Sequence, residues 1–126
     1  MPTATVIPIL RSFDEARTRA FYLDFLGFRV DWEHRFEADL PLYMQVSRGA
    51  IVLHLSEHHG DATPGSAVRI LFEDLPALAE ELKSRRHSNA RPEIQLQPWG
   101  CAELQVIDPA GNRLVFYRLT EDQGED

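Results

Sequence analysis

The chain has 126 residues and a mass of 14.4 kDa, which suits one domain of ordinary size. With 44% hydrophobic and 26% charged residues it is typical of a soluble globular protein, and no apolar run approaches the roughly 18 residues of a membrane-spanning helix. The formal net charge of -7 excludes nucleic acid as a partner and favours a cationic ligand. A lone cysteine, Cys101, excludes an internal disulfide and a zinc site with two thiolates. The N-terminus does not resemble a secretory signal, so we expect a cytoplasmic protein.

The first half of the chain predicts a strand, a helix and three further strands. The first strand, Thr5–Leu10, contains Pro8, which cannot donate to a sheet ladder and so confines the strand to an edge or crossing point. Asp14 is a candidate N-cap for a helix that ends at Gly27. Alternating apolar residues then predict three strands: Phe28–Glu33, Leu42–Val46 and Ile51–Ser56.

The second half repeats this order after a linker rich in turn-forming residues, 58–66. A strand is predicted at Ala67–Phe72, and a helix at Asp74–Arg86. The remaining elements are three strands, Ile94–Gln97, Glu103–Ile107 and Arg113–Leu119, and an acidic tail, 121–126, that we expect to fray.

The two halves match with an offset of 60 residues. Asp14 and Asp74 open the two helices, and Gln45 and Gln105 occupy corresponding strand positions. We therefore predict an α+β fold in which residues 1–126 form a single domain of two βαβββ modules, at about 4–57 and 66–119. The modules would form a curved mixed sheet with helices on the outer face, leaving a concave face for a small ligand.

Three motifs in this order resemble those of the glyoxalase / bleomycin resistance protein / extradiol dioxygenase superfamily: Phe21–Phe28 (FYLDFLGF), Gln97–Gly100 (QPWG) and Asp108–Asn112 (DPAGN). The likeness covers nearly the whole chain and is closest to the bleomycin resistance proteins. It implies a homodimer whose clefts between subunits sequester a cationic glycopeptide antibiotic without altering it. It also implies exchange of the N-terminal strand at Pro8, for which a simple edge-strand proline is the alternative.

The metalloenzymes of this superfamily bind one divalent ion through His, Glu or Gln at four strand positions. The resemblance places these positions at Ile7, His54, Ala67 and Val115, of which only His54 can be a ligand. Stable sites for such ions take three or four protein ligands, so we predict no metal and no cofactor. The Lewis acid that the family's enzymes depend on is then missing, which favours a binding protein over a catalyst.

Four candidate ligand-binding residues lie in the first module. Strand alternation directs His54 and Ser56 towards the cavity, and a histidine bonded to its neighbours across the sheet is the alternative. Trp32 and Phe36 lie near positions that hold cleft aromatics in the resistance proteins. A structural aromatic cluster under the loop at 36–41 explains them nearly as well.

Three more candidates lie in the second module. Trp99 matches an aromatic of the drug cleft, and its indole ring could stack on heteroaromatic rings, with core packing as the alternative. Strand alternation places Arg69 on the face of the sheet that borders the cavity. There it would repel a cationic drug unless Glu103 paired with it. An unpaired Arg69 would instead indicate an anionic ligand.

These observations predict a metal-free small-molecule binding protein of the bleomycin-resistance type. The alternative is an enzyme of the same superfamily with a divergent site, in which His54 acts as acid or base and Arg69 holds a small anionic substrate. A third hypothesis is a binding module of the same fold for another metabolite.

Overall fold

The computed structural model describes residues 4–85 and 92–120. The chain divides into two compact units that meet between Pro64 and Gly65, inside the predicted linker. The α+β fold and the two βαβββ modules are confirmed, and each module forms its own four-stranded mixed sheet. Within the described ranges, no helix has the length and apolar character needed to cross a bilayer.

Unit 1 contains four strands, a short α-helix and a π-helical segment. In chain order these are β1 (Ile9–Arg11), α1 (Glu15–Arg19), the π-helical segment (Ala20–Phe25), β2 (Arg29–His34), β3 (Tyr43–Arg48) and β4 (Ile51–Ser56). The strand order is β1-β4-β3-β2, with β1 parallel to β4 and the other pairs antiparallel. A buried layer of Met44, Val46, Leu53 and Leu55 forms the core on one face of the sheet.

Strand β1 is shorter than the predicted Thr5–Leu10. Pro8 precedes it at the edge of the sheet, where a missing N–H breaks no ladder bond, and the Pro8 carbonyl accepts the His54 N–H at 2.9 Å. The proline therefore marks the start of the strand instead of lying inside it.

The predicted continuous α-helix is partly wrong. Asp14 caps its start by accepting the Arg17 N–H at 3.1 Å, but the helix widens into π geometry at Ala20. Phe21 and Tyr22 are adjacent and both fully buried, and a wider turn brings neighbouring side chains closer to one face. Gly27, at φ 76°, ends the segment in the left-handed conformation expected of a C-cap.

Unit 2 repeats this topology. Its elements are β5 (Ala67–Leu71), α2 (Leu75–Arg85), β6 (Ile94–Gln97), β7 (Cys101–Ile107) and β8 (Arg113–Leu119). The strand order is β5-β8-β7-β6, again with the first strand parallel to the last. Strand β7 begins two residues before the predicted start, while Arg86 and the tail 121–126 lie outside the described residues.

Helix α2 covers one face of the unit 2 sheet. Its apolar side chains are buried against β6, β7 and β8: Leu75, Leu78, Ala79 and Leu82. Asp74 caps the helix by accepting the Ala77 N–H at 3.2 Å, as Asp14 does in unit 1. Because side chains alternate along each strand, every second residue of β5, β7 and β8 faces away from α2, and Arg69 and Glu103 lie on that face.

Candidate functional site

His54 lies at the centre of a hydrogen-bonded cluster in unit 1. Its neighbours on β4, Leu53 and Leu55, are buried in the core, which leaves the half-buried imidazole on the opposite face. The Nδ1 atom lies 2.7 Å from the Tyr43 hydroxyl, and Nε2 lies 3.0 Å from Gln45 Oε1. Both partners project from the adjacent strand β3, where Gln45 is directly opposite His54.

The partners of Gln45 fix the tautomer of His54. The amide nitrogen of Gln45 donates to Asp31 Oδ2 at 3.0 Å, so its oxygen must accept from His54 Nε2–H. His54 Nδ1 is then the unprotonated nitrogen, and Tyr43 donates to it. Burial lowers the pKa of His54, which keeps the imidazole neutral near pH 7. The alternative interpretation, a histidine bonded across the sheet, is what the structure shows.

Trp32 adds an exposed aromatic surface to this cluster. Its indole ring stacks parallel to the Tyr43 ring at a centroid distance of 6.0 Å and makes a T-shaped contact with the His54 ring at a centroid distance of 5.2 Å. The side chain is 43% exposed, so an indole surface remains open to solvent. Phe36 is 74% exposed and packs edge-on against His34 at 4.8 Å.

Ser56 is placed differently from His54. It is fully buried, and its hydroxyl donates to Asp61 Oδ2 at 2.7 Å while accepting the His58 N–H at 3.1 Å. These bonds tie the end of β4 to the loop that follows it. A ligand contact by Ser56 stays a prediction, and it would require Asp61 to move.

In unit 2, the carboxylate of Glu103 lies at the centre of the second group of predicted site residues. Arg69 Nη1 donates to Glu103 Oε2 at 2.7 Å, and the Arg69 guanidinium also lies 4.4 Å from the centre of the Tyr117 ring. This pairing raises the pKa of Arg69, and it is the main cause that lowers the pKa of Glu103. The pairing of Arg69 with Glu103, weighed as an alternative from the sequence, is the arrangement observed.

Trp99 lies beside the same carboxylate, because its indole is a minor further cause, after Arg69, of the lowered pKa of Glu103. The residue lies in the turn before β7 and is 59% exposed. Gln97 and the Cys101 thiol also donate to Glu103, at 3.4 and 3.5 Å. Much of the Trp99 surface therefore remains open to solvent.

The side chains at the superfamily's metal positions do not fit a metal ion. Ile7, Ala67 and Val115 offer no ligand atoms, and both nitrogens of His54 are engaged by Tyr43 and Gln45. Among the described residues, no group of three or more His, Cys, Asp or Glu side chains is placed to hold a metal.

Sequence reasoning missed the partners that hold the candidates. The unit 1 network consists of Tyr43, Gln45 and Asp31. The sequence pattern singled out only Gln45, as the counterpart of Gln105 in the repeat. The missed signal was the short turn at Gly49, because a two-residue hairpin loop pairs Arg48 with Ile51 and so fixes Gln45 opposite His54.

The comparisons with known proteins agree with this geometry. The family model described as glyoxalase superfamily protein matches residues 2–124. The bleomycin-binding protein of bleomycin-producing Streptomyces verticillus, solved with copper(II)-bleomycin, is 30% identical, with a TM-score of 0.68 and coverage of 96% of this chain and 99% of that one. No curated protein matches the chain in sequence.

Two further structures carry the same likeness. The bleomycin resistance determinant encoded on transposon Tn5 has a TM-score of 0.72 and 26% identity, and covers 94% of this chain and 99% of its own. A bleomycin-binding protein complexed with bleomycin has a TM-score of 0.69 and 26% identity, and covers 92% and 98%. The resemblance drawn from the sequence motifs is confirmed, and with a family match over nearly its whole length the chain belongs to the glyoxalase superfamily.

Proposed function

We propose that this protein sequesters a bleomycin-type cationic glycopeptide antibiotic by reversible binding, without a metal of its own and without chemical change to the drug. One observation carries the proposal: each unit holds a half-exposed indole, Trp32 stacked on Tyr43 in unit 1 and Trp99 beside Glu103 in unit 2. A flat ring with one face free can stack on the heteroaromatic rings of such a drug. The likeness to proteins solved with bleomycin supports a drug of this type as the ligand.

The charge of the candidate residues supports a cationic ligand. Glu103 neutralises Arg69, and His54 is held neutral, so neither cluster presents an uncompensated positive charge. The chain as a whole carries a net charge of -7, which attracts a cation at long range. The same pairing of Arg69 speaks against the alternative of an enzyme that clamps an anionic substrate.

The proposal includes a cytoplasmic homodimer with exchange of the N-terminal segment. Pro8 precedes an edge strand of only three residues, and Val6 is 89% exposed, so little in unit 1 holds this segment. Light scattering after size exclusion would give twice the monomer mass, and a monomer at all concentrations would remove this part of the proposal.

The test is a calorimetric titration of chelator-treated protein with metal-free bleomycin. Trp99→Ala and Trp32→Ala should each weaken binding about tenfold to hundredfold, as the loss of an aromatic binding anchor does. Phe13→Ala is the matched control. Phe13 is 57% exposed, a fraction similar to the 59% of Trp99, and it lies outside both clusters. Affinity should also fall with added salt.

Two outcomes would contradict the proposal. One is the absence of saturable binding to the unmodified protein. The other is an affinity for Trp99→Ala and Trp32→Ala equal to that of the Phe13→Ala control, since the drug would then bind elsewhere.

A further inference from the structure

A polar basin of about 320 Å³ lies on the face of the unit 2 sheet that carries the Glu103 cluster. This volume is at the lower end of the range for small-molecule pockets. The lining consists only of carboxamide and carboxylate side chains. They are Glu93, Gln95, Gln97, Glu103 and Gln105.

Strand alternation explains how the lining forms. Gln95 and Gln97 share one face of β6, and Gln95 lies directly opposite Glu103 on β7. Side chains directly opposite in an antiparallel pair have Cβ atoms roughly 5 Å apart, so the polar groups form a continuous surface. Leu96, between the two glutamines, points to the other face of the sheet.

Much of the hydrogen-bonding capacity of the basin is unused. Gln97 reaches Glu103 only at 3.4 Å, and Gln105 accepts from Arg113 only at 3.5 Å, which is the long limit of a hydrogen bond. Within residues 4–85 and 92–120, the side chains of Glu93 and Gln95 have no hydrogen-bond or ion-pair partner. The basin therefore offers both donors and acceptors to a ligand.

The charge balance selects the class of ligand. Arg69 neutralises Glu103, so Glu93 is the one lining carboxylate without an ion pair in the described part of the chain. A nearly neutral surface of carboxamides suits vicinal hydroxyl groups, each of which both donates and accepts a hydrogen bond. Trp99 is not one of the lining residues, but it lies beside Glu103 in the turn between β6 and β7, and its exposed ring supplies an apolar surface for the C–H face of a sugar ring.

We infer that the basin binds a sugar ring, with Gln95 and Gln105 bonding its hydroxyl groups and Trp99 covering its apolar face. The inference rests on the proposed function and deepens it, because the sugar would be the glycan part of the glycopeptide antibiotic. A free saccharide offers the same chemistry, and the experiment separates the two sources.

The first arm is a thermodynamic cycle between ligand and protein. Bleomycin and deglycosylated bleomycin are titrated into the unmodified protein, into Gln95→Ala/Gln105→Ala and into Leu96→Ala. Loss of the sugar should weaken binding about tenfold in the unmodified protein and in Leu96→Ala, and less than about twofold in the double variant. Leu96→Ala is a matched control because it alters the same strand on its opposite face. Equal affinities for the two drugs in the unmodified protein would overturn the inference and leave the proposed function standing.

The second arm does not depend on antibiotic binding. Methyl glycosides on the order of 10 mM are added while the side-chain amide signals of the glutamines are followed by NMR. Shifts in the signals of Gln95 and Gln105, absent when Trp99→Ala is used, would support a sugar site even if bleomycin failed to bind. If bleomycin does not bind and no amide signal shifts, the sugar site is refuted together with the proposed function.

Discussion

Breaking the ion pair between Arg69 and Glu103 gives a quantitative test of how unit 2 holds its candidate residues. The pair is short, at 2.7 Å, and unequally exposed, with 49% of the Arg69 side chain and 13% of the Glu103 side chain accessible. Exposed pairs contribute about 0.2–1 kcal/mol, and the shielding of Glu103 places this one at the upper end, about 1 kcal/mol. Glu103→Gln alone should cost more, about 2 kcal/mol, because Gln97 and the Cys101 thiol also lose a charged acceptor.

The assay is a double-mutant cycle measured by urea unfolding at pH 7. Arg69→Met removes the charge of an unbranched side chain, and Glu103→Gln keeps the shape of the acceptor. The helix pair Arg85 and Glu81, at 2.5 Å, is the matched control, for which a coupling of about 0.3–0.5 kcal/mol is expected. A coupling at Arg69 and Glu103 no larger than in the helix pair would refute the reasoning.

The same cycle has a defined pH dependence. Because Arg69 lowers the pKa of Glu103 in the folded state, the folded protein releases this proton more readily than the unfolded chain. The contribution of the ion pair to the free energy of unfolding is therefore complete above the ordinary pKa of a glutamate. It is lost as the pH falls through the lowered pKa of Glu103. The stability gap between the unmodified protein and Glu103→Gln should narrow over that window, while other shifted carboxyl groups, such as Glu15, cancel in the comparison.

Two further predictions concern unit 1. Tyr43→Phe removes the donor to His54 Nδ1 and should cost about 1 kcal/mol in urea unfolding. Because this hydrogen bond stabilises only the neutral imidazole, its loss should raise the pKa of His54, and an unchanged NMR titration of His54 would contradict the tautomer. Ser56→Ala leaves the Asp61 carboxylate and the buried end of β4 without their hydroxyl partner. Thermal or urea unfolding should therefore show a loss of about 1–3 kcal/mol in stability. An unchanged stability would show that the hydrogen bond to Asp61 contributes nothing.

Local patterns predicted most of the secondary structure correctly. The strands Ile51–Ser56, Ile94–Gln97 and Arg113–Leu119 match the structure residue for residue, since apolar alternation and flanking turns mark them clearly. Asp14 and Asp74 both cap helices, as an acidic side chain three residues before an unsatisfied backbone N–H should.

The errors arose where long-range packing overrides local propensity. Nothing in the composition of Ala20–Phe25 signals a π-helix, because it is the simultaneous burial of Phe21 and Tyr22 that favours the wider turn. Strand β7 begins at Cys101 and not at Glu103 because Cys101 pairs with both Gln97 and Leu119, and the sequence does not reveal these neighbours.

Of the candidate residues, the sequence could identify the side chains but not what they bind. Arg69 and Glu103 were recognised as a conditional pair, and only the register of β5, β7 and β8 brings them into contact. For His54, the two-residue turn at Gly49 predicts the register of β3 and β4. The hydrogen bond of His54 to Gln45 could therefore have been predicted from the sequence. The stacking of Trp32 on Tyr43 follows from the bulge in β2, which no local pattern indicates.

Each of the two duplicated modules places a basic side chain among its candidate site residues, and in neither does that side chain leave a net positive charge. In the parallel pair of unit 1, Ile9 lies opposite His54, whereas the corresponding pair of unit 2 sets Arg69 opposite Val115. Each unit therefore places one basic side chain at this level of its sheet, on a different strand. Neither side chain adds a net positive charge to its site, because burial keeps His54 neutral and Glu103 on β7 pairs with Arg69 across β8. Since positive charge is removed at both sites, attraction for a cation needs no dedicated acidic side chain and can come from the net charge of the whole chain.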